Sequence, residues 1–159
     1  WIGGSVAAAV RRAARIGDVW VSSMNPTFEE VRGLLGEFET AREGRPPAAE
    51  RPTMRECYIG ATPESALADV RDILYAKYSA YKSRGAAPSQ TTFDDRAGFE
   101  ALMQSKFLVG DEAMVAERLR WLRDEAGIDH LIVRVRWPGL SEEQALNTMR
   151  RLANVAASL

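Results

Sequence analysis

"WIGGSVAAAVRRAARIGDVWVSS", Trp1–Ser23, carries a strand, a turn, a helix and a second strand in direct succession. Trp1 to Gly4 reads as the end of a strand. From Ser5 to Ile16 the apolar positions Val6, Ala9, Val10, Ala13 and Ala14 recur at helical spacing, with Arg11, Arg12 and Arg15 turned outward. Gly17 stands just past that helix, where a left-handed conformation is often needed. Val19 to Ser22 is β-rich again. Strand, helix, strand in this order is the unit of a parallel sheet with right-handed crossovers. The abrupt apolar opening at Trp1 gives a further expectation, that the chain is the back part of a larger barrel.

The remainder repeats the pattern. Thr27 and Glu30 form a T-x-x-E capping box, and Phe28, Val31, Leu34, Leu35 and Phe38 supply the buried stripe of the helix it opens. That helix fades near Gly44, and "GRPPAAERP" is a proline-rich connection. "TMRECYIGA", Thr53–Ala61, reads as a third strand. Thr62 caps the next helix, with Pro63 at its first position, and the helix runs to about Lys82. A polar, small-residue stretch at about 83–98 reads as a mobile insertion and a candidate lid. A short helix from Phe99 to Met103, the apolar "FLVG" and a helix opened by Asp111 follow. "DHLIVRVRW", ending at Trp137, is the plainest strand, and a Ser141/Gln144 capping box starts the last helix. The expected architecture is α/β, a single partial-barrel domain over 1–159, with about four parallel strands alternating with helices. Four such units make a small open sheet or half of an eight-stranded barrel, since a complete barrel takes about 250 residues.

Composition narrows the class. The chain has 159 residues, 46% of them hydrophobic and 27% charged, which is the balance of a globular domain. A net charge of -1 gives no footprint for nucleic acid or an anionic membrane. No apolar run approaches the roughly 20 residues of a membrane span. One cysteine cannot form an internal disulfide, and a cytoplasmic protein is the simplest expectation. One histidine with one cysteine makes no recognisable zinc site.

In order and spacing, "WIGGS" with "RRAARIGDVWV", then "RECYIGAT", then "FLVGDEAMVAERL" followed by "GIDHLIVRVRWPG", resemble the C-terminal half of the bacterial luciferase-like, flavin-dependent monooxygenase family. The resemblance covers nearly the whole chain. It implies strands five to eight of a TIM-type (β/α)8 barrel. The first half would then supply much of the flavin pocket and commonly a catalytic histidine, so the catalytic residues are unknown from this chain. It further implies FMN, or alternatively the deazaflavin F420, as cofactor. A small organic substrate is implied, with molecular oxygen for FMN-dependent members. The expected function is a fragment of a flavin-dependent oxidoreductase that contributes the cofactor phosphate site and part of the substrate pocket, inactive without its first half. The alternative is a non-catalytic half-barrel module that binds flavin phosphate or only assembles. Unpaired edges at its first and last strands would recruit a second copy or the complementary N-terminal half.

Particular residues carry these expectations. Gly3, Gly4, Ser5 and Val6 form a strand-to-helix turn whose N–H groups and helix dipole suit a phosphate. Alone it reads as a tight turn or helix cap; in the context of the resemblance the equivalent segment holds the cofactor phosphate. Trp20 and Ser22 lie at a strand's C-terminal end, where barrel enzymes gather their sites, although Trp20 equally suits the core. Arg134 and Arg136 share one strand face and need carboxylates, phosphate or solvent. The resemblance sets Arg136 and Trp137 at the pocket rim, and an ion pair with a neighbouring strand is the competing reading. Cys57 reads as a buried small hydrophobe, and His130, at a strand's beginning, as structural.

Overall fold

The computed structural model describes residues 1–83 and 93–159. Its elements run β1 (Ile2–Gly4), α1 (Ala7–Ile16), β2 (Trp20–Ser22), α2 (Phe28–Thr40), β3 (Pro52–Ile59), α3 (Pro63–Ser83), α4 (Arg96–Lys106), β4 (Leu108–Gly110), α5 (Glu112–Asp124), β5 (His130–Arg134) and α6 (Glu142–Ala157). The strands form one five-stranded sheet in the order β1-β2-β3-β4, with β5 also paired to β3. β1 and β2 pair in parallel with Ile2 opposite Trp20 and Gly4 opposite Ser22. β2 meets β3 in parallel at Ser22 and Thr53, and β3 meets β4 in parallel from Cys57 and Leu108 to Ile59 and Gly110.

The chain divides into two compact units, Trp1–Arg55 with Arg120–Val133 and Glu56–Leu119 with Arg134–Leu159. In the first, α1 buries Val10, Ala13 and Ala14 and α2 buries Val31, Leu35 and Phe38. The Thr27/Glu30 box is formed in both directions. Arg45 closes α1 by donating from Nη1 to the Ala14 and Arg15 carbonyls, at 2.7 and 3.1 Å, where a cation also meets the negative end of the helix. The core of the second unit is aromatic, with Tyr78, Phe93, Phe99 and Phe107 packed ring on ring against Val70 and Leu74 of α3. Thr62 accepts from the Ser65 N–H to open α3, and the Ser141/Gln144 box opens α6.

Four features differ from the sequence reading. Leu108–Gly110, within "FLVG", is a strand of its own, so the sheet has five strands; three residues are too few to show a period. α4 is longer than Phe99–Met103 because Asp95 caps it, accepting from the Gly98 N–H at 2.8 Å. β5 ends at Arg134, short of Trp137. Gly17 is extended, at φ -116°, and not left-handed. Glycine is needed there for close approach instead: a Cβ would stand 2.7 Å from Ile2 Cδ1. Most of the insertion expected at about 83–98, and with it the candidate lid, lies outside the described residues.

Candidate functional site

In the first unit the ends of β1 and β2 and the start of α1 converge on the glycine turn. α1 approaches so closely that a Cβ on Gly4 would lie 2.9 Å from Ala9 Cβ. Gly3 is open by contrast: it is exposed, and a Cβ there would meet Val21 Cγ1 at 3.9 Å as its nearest neighbour. Val6 is the extended N-cap residue and makes no side-chain cap; its carbonyl accepts from the Ala9 and Val10 N–H groups. No acidic side chain stands in the first turn of α1. The positive end of this helix therefore has no carboxylate of its own first turn to neutralise it.

Side chains hold the turn from behind. Trp20 is buried against Phe38 and donates its indole Nε1–H to the Gly4 carbonyl at 3.0 Å. Its ring thus belongs to the core and reaches the turn through one hydrogen bond. Ser5 Oγ and Ser23 Oγ are 2.7 Å apart and share a hydrogen bond. Ser22 is fully buried and donates to the Ser23 carbonyl at 3.1 Å. Arg55 donates to the same carbonyl at 3.1 Å while its guanidinium lies over the Phe28 ring. Among the residues expected at the cofactor, Gly3, Gly4, Ser5, Val6 and Trp20 are brought together, and Ser22 backs them through Ser23. Ser23 and Arg55 were not singled out in the sequence. An arginine next to Glu56 in a strand whose other residues are mostly apolar was the available signal.

The second unit holds Arg136 and Trp137 and a buried charge cluster. Glu56 on β3 is inaccessible to solvent. Its carboxylate accepts from Lys77 Nζ at 2.6 Å, Tyr78 Oη at 2.9 Å and Arg134 Nε at 3.0 Å, with a second bond from Arg134 Nη2. Burial pushes its pKa up, but the hydrogen bonds from Arg134 and Lys77 outweigh burial and hold it below the ordinary value. Burial lowers that of Lys77 despite its bond to Glu56. The Tyr78 phenol is pushed up by burial and by the neighbouring Glu56 charge. Arg134 is thus committed to the carboxylate of the adjacent strand. Beyond the end of β5, Arg136 is exposed and Trp137 buried. Trp137 Nε1 is buried with no hydrogen-bond partner among the described residues, and Lys77 Nζ lies 5.5 Å from its ring centre.

Cys57 is fully buried and burial raises its pKa to about 12, so the thiol stays protonated and inert. His130 sits at the start of β5 with its ring edge-on to Trp1 and 3.7 Å from Glu50. Among the described residues no group of three or more His, Cys, Asp or Glu side chains is placed to hold a metal ion, and no helix is long and apolar enough to cross a membrane.

A family model described as luciferase-like monooxygenase matches residues 1–130. Among solved structures, the chain is similar to a monooxygenase from Streptomyces bottropensis, with a TM-score of 0.70 at 20% identity, over 99% of this chain and 46% of that one. It is similar to the oxygenating constituent of 3,6-diketocamphane monooxygenase from Pseudomonas putida in complex with FMN, with a TM-score of 0.70 at 15% identity, over 99% and 47% of the two chains. The coenzyme F420-dependent tetrahydromethanopterin reductase from Methanopyrus kandleri matches with a TM-score of 0.59 at 12% identity, over 92% and 47%. The chain spans about half the length of these structures. No curated protein matches it.

Proposed function

The chain belongs to the luciferase-like monooxygenase family, and from that premise we propose that it contributes the cofactor-phosphate site and part of the substrate pocket of a flavin-dependent oxidoreductase. The observation that carries the proposal is the turn at Gly3–Val6, where an exposed glycine backbone meets a helix start with no acidic side chain in its first turn. The residues fit an FMN phosphate. Gly3 lets the anion approach the backbone, the first N–H groups of α1 donate to its oxygens, and the Ser5 hydroxyl adds a further hydrogen bond. Trp20 holds the Gly4 carbonyl and Ser23 holds the Ser5 hydroxyl, so that the turn needs no rearrangement on binding. Ser22 braces the strand end from the interior. Arg136 and Trp137 are assigned to the rim of the substrate pocket, with the exposed Arg136 meeting polar groups of an organic substrate. When bound, reduced FMN would supply two electrons to molecular oxygen, which takes two more from the substrate, so that one oxygen atom enters the substrate and the other leaves as water. F420 offers a phosphate too and is the alternative occupant of the turn. The protein is assigned to the cytoplasm, consistent with its lone, reduced Cys57.

A second reading follows from the span of the matches. A chain that covers 46% or 47% of its structural relatives suits a non-catalytic half-barrel module that binds flavin phosphate or only assembles with a partner chain. Titration of the chain with FMN and with F420, followed by cofactor fluorescence and by reductant-linked oxygen consumption, separates the two. Turnover once a complementary N-terminal half is added supports the oxidoreductase, binding without turnover even then supports the module, and failure of both cofactors to bind contradicts the phosphate site.

A further inference from the structure

In the second unit, α3, α4, β4 and α5 enclose a cleft of about 390 Å³, within the roughly 300–1,000 Å³ of small-molecule sites. Its walls are aliphatic and thioether groups: Leu67 from α3, Met103 from α4, Val109 from β4 and Met114 from α5. Methionine side chains adapt their shape to an apolar guest. Met103 is buried and forms part of the wall from the aromatic core.

Two charged residues line the same cleft, and they differ in exposure. Glu64, in the first turn of α3, is exposed, so water and salt screen its charge. Arg118 is half-buried, and its Nη1 donates to the carbonyls of Phe107 at 2.6 Å and Val109 at 3.4 Å. Those bonds tie Nη1 to the backbone around β4, whose Val109 lines the cleft. Burial lowers the pKa of Arg118, although the Glu117 charge raises it. A half-buried cation beside an apolar chamber favours an anion with an apolar body over a neutral or cationic guest, because the pair forms where water screens it poorly. The planar fork matches a carboxylate.

We infer that this cleft is a binding site for an amphipathic carboxylate, an aliphatic acid whose chain lies against Leu67, Met103, Val109 and Met114 and whose carboxylate meets Arg118. The site is built wholly from residues outside the glycine turn, and it stands or falls independently of the cofactor assignment.

The chain contains five methionines, Met24, Met54, Met103, Met114 and Met149, so methyl-13C-methionine NMR reads the cleft locally. Decanoate, added below its critical micelle concentration, is expected to shift the Met103 and Met114 methyl signals saturably and leave the other three in place. Decanol is expected to bind about tenfold more weakly, having lost the charge-assisted bond. Leu67→Trp, which fills the chamber, is expected to abolish the decanoate shifts while the unaffected methionine signals report a folded chain. Absence of saturable shifts, shifts confined to the exposed Met149, equal affinity for decanol, or decanoate shifts that survive in a folded Leu67→Trp chain would each overturn the assignment. Arg118 itself is left unaltered because it also holds the Phe107 carbonyl.

Discussion

Glu56 shows how a charge persists inside this protein. Burial alone would raise its pKa, yet hydrogen bonds and charge from Arg134 and Lys77 outweigh it and keep the carboxylate ionised. Glu56→Gln removes the anion and leaves two cations facing a neutral amide, a change expected to cost about 3 kcal/mol at pH 7; chemical denaturation of the two chains measures it. The pH dependence has a definite sign. The folded pKa lies below the ordinary 4.5, so the contribution of this carboxylate is complete above pH 4.5 and is lost as pH falls through the folded value. The stability gap between wild type and Glu56→Gln should therefore narrow below pH 4.5. A gap that widens in acid would contradict the assignment. The partners of Glu56 lie 21, 22 and 78 residues away in sequence, which is why the sequence showed that Arg134 needs an anion or solvent without naming Glu56.

At the scale of elements, α1 is held by its packing and by the turn before it, without an acidic first turn or a side-chain cap. Ala8 is exposed in that first turn. Ala8→Glu should stabilise the folded chain by about 0.3–1 kcal/mol through the helix dipole, and should weaken FMN by placing a carboxylate where the phosphate belongs. Thermal unfolding and a flavin titration on the same variant test both halves, and a variant that binds FMN as well as wild type would count against the phosphate site. Helix starts were legible in the sequence because capping chemistry is local: Thr27/Glu30 and Ser141/Gln144 both form their boxes. The helical stripes of α1 and α2 were legible for the same reason. Short elements and helix ends were less so. β4 has three residues, and the close approach that requires a glycine at position 17 comes partly from Ile2 on β1, fifteen residues away. The turn at Gly3–Val6 was legible as a strand-to-helix junction, but its support by Ser23 and Arg55 depends on pairings between distant segments.

For the whole molecule, the matched structures are about twice as long as this chain, with 46% and 47% of their lengths covered. β1 pairs with β2, and a strand at the border of a sheet offers backbone groups that another chain can pair with. The chain is expected to associate with itself or with a complementary half. Size-exclusion chromatography with light scattering tests this: a mass above that of the 17.6 kDa chain is the expected result, and a well-folded monomer the contrary one. The most direct measurement compares FMN with riboflavin, which share a ring system and differ by the phosphate. If the glycine turn holds that group, FMN binds the chain at least about tenfold more tightly than riboflavin, and the preference fades with added inorganic phosphate. Equal affinity for the two flavins would show that the turn does not hold a phosphate.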